Sequence, residues 1–97
     1  MTSTVILEIS LKPDEIDSAI ALFKESLPDT RAYDGCQSIE VIQGDDDPTC
    51  LIVYEKWESR SHYEKYLAWR EETGFLDKLG AFLAGPPKIT YLNSVDA

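Results

Sequence analysis

The stretch CLIVYEKWESRSHYEKYLAWR, residues 50–70, decides how this chain folds, because its pattern changes from that of a strand to that of a helix within a few positions. Residues 50–57, CLIVYEKW, are rich in β-branched and aromatic side chains and read as a strand. Ser59 and Ser61 each precede a helical pattern, and Ser61 with Glu64 has the spacing of a capping box, which predicts a helix reaching about Glu72. The same stretch holds five of the ten aromatic residues, both tryptophans, the single histidine and four of the nine basic side chains. Such a concentration of rings and cations suits either a binding pocket or a densely packed strand and helix, and the flanking sequence has to discriminate.

Upstream, residues 4–11, TVILEISL, alternate as a strand does. Pro13 with Asp14, Glu15 and Asp17 supplies a helix start, Ile16, Ile20, Phe23 and Leu27 share one helical face, and Pro28 is expected to end that helix. Asp29 to Gly35 reads as a connector with room for one further helical turn. Cys36 to Gln43 reads as a second strand, and GDDDPT, residues 44–49, as the turn of a hairpin into residues 50–57. Downstream, the helical pattern restarts after Gly74 as FLDKLGAFLAG, with Phe75, Leu79 and Phe82 on one face and GPP as its stop; KITYL, residues 88–92, is a final strand. The order is β-α-β-β-α-β with the second helix broken in two. That order is the ferredoxin-like α+β arrangement, a four-stranded antiparallel sheet with helices on one face. Ninety-seven residues fit one domain, 1–97, and one core.

The second face of that sheet should be polar if it meets water. Instead Val5, Ile6, Leu7 and Ile9 are apolar on both faces of the first strand, as are Leu51, Ile52 and Val53 of the third. A second copy of the sheet is the simplest cover, so a homodimer packed sheet face to sheet face is expected. The formal charge of −9 would repel a phosphate backbone or an anionic bilayer, which argues against nucleic acid and membrane as partners. No basic n-region and no apolar run of about 18 residues is present, and a cytoplasmic protein is expected. Cys36 and Cys50 fall about seven strand positions apart in the hairpin, roughly 23 Å, too far for a disulfide, and read as free thiols.

Three segments carry a resemblance: the opening LEISLKPDEID, the passage IVYEKWESRSHYEKYL, in which a strand ending in Glu-x-Trp enters a Ser-capped helix, and the ending FLAGPPKITYL. With these the chain resembles the antibiotic biosynthesis monooxygenase family, dimeric α+β barrel proteins that include quinol monooxygenases, over nearly its whole length. The resemblance implies oxygenation of a small hydroxy-aromatic or quinol substrate by O2 without metal, flavin or haem, in a pocket between the sheet and the helices of each subunit. Many members place a histidine nine residues after the tryptophan; here that position is Tyr66, and the histidine is His62, one turn earlier.

Within that frame Trp57 is a candidate wall for an aromatic substrate, and the alternative is a core residue at a strand end. His62, Tyr66 and Trp69 fall at i, i+4 and i+7, a stripe that would line the cavity if it faces the sheet; Tyr63 and Leu67 form the neighbouring stripe. His62 suits a catalytic base by its ordinary pKa, although the first turn of a helix is often solvated. Glu8 and Glu55 sit inside strands, where a buried carboxylate needs a partner: each is either a pocket group or half of an ion pair, across a dimer or with Lys56 or Arg31. Arg70 could hold a substrate oxygen, or merely complement a helix end. His62 and Trp57 are thus the candidate catalytic residues, with Tyr66, Trp69, Glu55, Glu8 and Arg70 as candidate substrate contacts. No zinc-type ligand set, phosphate loop or nucleophile elbow is present. The competing readings are a non-catalytic dimeric small-ligand-binding or stress-response protein using the same cavity, and a structural dimer whose cavity is filled by Trp57, Phe75 and Phe82.

Overall fold

A computed structural model describes residues 2–96. The elements run β1 (Ser3–Ser10), α1 (Ile16–Ala32), β2 (Cys36–Gln43), β3 (Cys50–Trp57), α2 (Arg60–Glu72), α3 (Phe75–Gly80) and β4 (Lys88–Leu92). The four strands form one sheet in the order β2-β3-β1-β4, every pair antiparallel, which is the ferredoxin-like α+β topology. Among the described residues no helix is long and apolar enough to cross a membrane.

Strand alternation decides what each residue meets. Val5 lies between Glu55 and Tyr91 in register, and Leu7 between Val53 and Ile89, so these side chains share the face covered by the helices. Leu51, Val53, Glu55 and Trp57 of β3 are buried on that face, while Ile52, Tyr54 and Lys56 point the other way and are less covered. The core has two parts: an aliphatic cluster centred on Ile9, Phe23, Leu51, Val53 and Leu79, and an aromatic cluster of Val5, Trp57, Tyr63 and Tyr66. Cys36 pairs in register with Trp57 at one end of β3 and Cys50 lies at the other end; both are free thiols.

Three element boundaries differ from the sequence expectation. Pro28 does not end α1, which continues to Ala32 with the proline inside it. Pro28 has no N–H to offer the Lys24 carbonyl, yet the turn that follows is fastened from outside. The Arg70 guanidinium donates to the Ser26 carbonyl at 2.8 Å and to the Thr30 hydroxyl at 2.9 Å, and Thr30 is 1% exposed. The Ser61–Glu64 box does not form: the N-cap of α2 is Ser59, in extended conformation, whose hydroxyl accepts from the His62 backbone N–H, while Glu64 pairs with Arg60 at the surface. Finally α3 stops at Gly80, because the chain beyond it pairs with the end of β1, Lys12 N donating to Phe82 O and Ala84 N to Ser10 O. Gly74, with φ of 80°, makes the left-handed turn that separates α2 from α3.

Candidate functional site

The Ser59 cap sets the start of α2, and packing on the sheet and α1 selects the stripe that is buried. The buried residues are Tyr63, Tyr66 and Arg70, at i, i+3 and i+7, and not the stripe of His62, Tyr66 and Trp69. His62 instead sits on the rim. Its Nδ1 lies 2.6 Å from Ser59 Oγ, and its Nε2 faces the exposed carboxylates of Glu58 at 3.6 Å and Asp34 at 4.0 Å. The ring covers Gly35, where a Cβ would come within 2.5 Å of it. Trp69 is half-buried and stacks on Tyr33, ring centres 5.1 Å apart. Glu8 is exposed on the far side of the sheet, opposite Lys88 in register.

Trp57 is fully buried, its ring 4.9 Å from that of Tyr66 and 5.7 Å from that of Tyr63. Two residues earlier on the same face, Glu55 is 3% exposed, and its Oε1 accepts from Trp57 Nε1 at 3.1 Å. Neither Lys56, which points to the other face, nor Arg31 pairs with it; among the described residues no cation stands within 4 Å of this carboxylate. Burial pushes the Glu55 carboxyl up from 4.5 to about 7, with the indole hydrogen bond opposing the shift. Desolvation also raises the Tyr63 phenol, beside Glu55, and the Tyr66 phenol.

Tyr66 and Arg70 belong to a buried polar network that ties α2 to α1. The Tyr66 hydroxyl is 2.7 Å from Thr30 Oγ1 and receives Arg70 Nε at 2.9 Å. Arg70 has no carboxylate partner among the described residues; its plane lies 4.7 Å from the Phe75 ring centre and 4.6 Å from that of Trp69. A buried guanidinium held by neutral acceptors keeps most of its positive potential available to whatever enters beside it.

Glu55, Tyr63, Tyr66 and Arg70 all line one cavity between α2 and the sheet, about 40 Å³ in volume. A second, almost wholly apolar space of about 210 Å³ adjoins it toward α3 and β4, and Leu7, Tyr63, Leu67, Leu76 and Leu79 line both. Each alone is smaller than the roughly 300 Å³ at which small-molecule sites begin. The helix–sheet interface is nonetheless not filled by Trp57, Phe75 and Phe82. An apolar body can lie against Tyr63, Leu67 and Leu76 with a polar end directed at Glu55. Of the candidates read from sequence, Glu55, Tyr66 and Arg70 line the inner space, Trp57 and Trp69 pack behind it, and His62 and Glu8 do not line it. Tyr63 and the Leu67–Leu76 wall went unread as site residues; the signal for them is the alternative helical stripe, which packing on the sheet and α1 selects.

A single antiparallel sheet roofed on one face by helices, with carboxylate, phenol and guanidinium converging on an apolar cavity, defines a ferredoxin-like α+β domain with an internal chamber. The chain belongs to the antibiotic biosynthesis monooxygenase family, whose model it matches over residues 2–77. Over 98 aligned residues it is 28% identical to "Putative monooxygenase Rv0793" of Mycobacterium tuberculosis, covering 99% of this chain and 96% of that protein. The solved structure of Rv0793 superposes with a TM-score of 0.82 at 26% identity, over 100% of this chain and 98% of that one. A conserved protein from Methanosarcina mazei Go1 shares the fold more closely, with a TM-score of 0.90 at 18% identity, over 98% and 94% of the two chains.

Proposed function

We propose that this protein is a cytoplasmic, homodimeric monooxygenase that inserts one atom of O2 into a small hydroxy-aromatic or quinol without a bound cofactor. The observation that carries this reading is the convergence of Glu55, Tyr66 and Arg70 on a cavity that is otherwise apolar and walled by Tyr63. Such a site excludes water, holds a flat ring and surrounds its acidic group with preorganised dipoles, which is what an electron-rich substrate needs before it can react with O2. The substrate supplies the electrons. When the reacting carbon is a methylene, it and one O2 become a carbonyl group and one water, so the balance closes and no external reductant is consumed.

Two copies joined through the open sheet faces would complete the α+β barrel. The open face carries Ile6, Ile52 and Tyr54 at its centre and Ile42 and Leu92 toward its edges, the last two 45% and 39% exposed in the single chain. The second reading, binding without turnover, rests on the outer space of about 210 Å³, whose lining apart from Tyr63 is aliphatic, glycine and proline and offers no acid or base. Oxygen-electrode assays with naphthohydroquinones, anthrones and catechols separate the two. Uptake above autoxidation, with product formed one-to-one, is expected for the oxygenase; saturable binding with no uptake across the panel would leave only the binding protein.

A further inference from the structure

We propose that Glu55 is the catalytic base of the cavity, its carboxylate taking the proton of the substrate's carbon or oxygen acid while Trp57 acts as a positioning residue behind it. The assignment rests on the monooxygenase reading and adds to it the group that starts the reaction. It stands first on placement. Glu55 is the single carboxylate lining the inner space, and its β3 position sets it between the apolar Val5 of β1 and Ile39 of β2 in register. Oε1 is held by the indole N–H of Trp57; among the described residues Oε2 accepts no protein hydrogen bond and no buried side-chain N or O atom lacks a partner, so Oε2 is not fully enclosed and stays open on the cavity that Glu55 lines.

The other titratable groups around it are unsuited to the task. From α2, Tyr63 and Tyr66 are phenols that burial makes weaker acids, and Arg70 is a cation. From β2, the Cys36 thiol is also raised by burial and by Glu55 itself, with Arg31 opposing, and it does not line the cavity. From α1, Thr30 contributes a neutral hydroxyl already bound to Tyr66. His62 lies outside, on the rim. A carboxyl raised to about 7 is half ionised at neutral pH and strong enough as a base to compete for an acidic C–H or O–H. Arg70 and the Tyr66 hydroxyl then offer positive potential to the anion that forms, which keeps the charge in the site when the proton leaves. Electrons from that anion pass to O2, a C–O bond forms, and the proton on Glu55 goes to the peroxide, whose collapse to ketone and water completes the balance.

Proton abstraction can be read without oxygen chemistry. Anthrone is incubated with the protein in D2O under argon, and loss of its methylene proton signal is followed by NMR. The wild-type protein is expected to accelerate exchange, with a rate that rises through a pH of about 7. Glu55→Gln, which preserves size and hydrogen bonding, should lower the rate by about 100-fold or more. Trp57→Phe removes the bond that favours the charged carboxylate, so exchange should persist with its midpoint moved to higher pH, a shift that loss of packing alone does not produce. Exchange by Glu55→Gln at the wild-type rate, or no acceleration by the wild-type protein, overturns the assignment. Exchange without oxygen uptake keeps Glu55 as a base and removes oxygenation instead.

Discussion

A carboxylate enclosed by Val5, Ile39, Trp57 and Tyr63, and met by no cation among the described residues, is harder to ionise than in water, and Glu55 therefore links the fold to pH. Its carboxyl is raised from 4.5 to about 7 on folding, so between those values the native state binds more protons than the unfolded chain. Stability from this group is complete below 4.5, falls as pH rises toward 7, and is lost above it, by about 3 kcal/mol. Chemical denaturation between pH 5 and 8 should show that decline in the wild-type protein and a flatter profile in Glu55→Gln; parallel profiles would remove the buried-carboxylate account. The pairing is half legible in the sequence. A carboxylate inside a strand demands a partner, and the period of two puts residues 55 and 57 on one face, but nothing in the sequence says whether that face meets the helices or lies open.

At the scale of elements, the rotation of α2 decides which side chains see the cavity, and Ser59 sets where the helix begins. Its hydroxyl accepts from the His62 N–H at 3.2 Å, and the buried Tyr63, Tyr66 and Arg70 lie one turn and more beyond that start. Ser59→Ala should cost about 1 kcal/mol in urea unfolding. Ser61→Ala, at an exposed position outside the cap, should change stability by less than about 0.5 kcal/mol. The reverse order would return the cap to Ser61. Both serines satisfy the cap rule in sequence, and helical spacing alone offers either His62, Tyr66 and Trp69 or Tyr63, Tyr66 and Arg70 to the sheet; the bonds of Tyr66 and Arg70 to Thr30 and Ser26 of α1 accompany the second choice. Pro28 misleads for a related reason: local propensity ends a helix there, and the contacts that carry α1 onward come from Arg70, forty-four positions away from Ser26.

For the whole molecule, hydrophobic period and turn chemistry suffice to read the order of elements and with it the ferredoxin-like class, but not which sheet face the helices cover, because β1 and β3 carry apolar residues on both faces. The cavity is not legible in that way, since its volume depends on how Leu67, Leu76 and Tyr63 pack across elements distant in sequence. The open sheet face belongs to this scale as well. Ile6, Ile52 and Tyr54 lie on it beside charged neighbours, Glu8 between Ile52 and Lys88 in register and Glu40 opposite Tyr54. Sedimentation equilibrium should give a dimer for the wild-type chain and a folded monomer for Ile6→Glu/Ile52→Lys; a wild-type monomer at tens of micromolar, an order-of-magnitude concentration for a stable association, would contradict face-to-face pairing.

On the proposed monooxygenase reading, the space between α2, α3 and the sheet is where substrate meets O2. Oxygen uptake with anthrone tests it most directly when wild-type protein is compared with Leu76→Trp, which adds an indole to the wall shared by both parts of the cavity. Uptake above autoxidation by the wild-type protein, reduced at least about tenfold in a variant whose circular dichroism is unchanged, is the predicted result. Uptake no faster than autoxidation, or equal uptake with the cavity blocked, would contradict it.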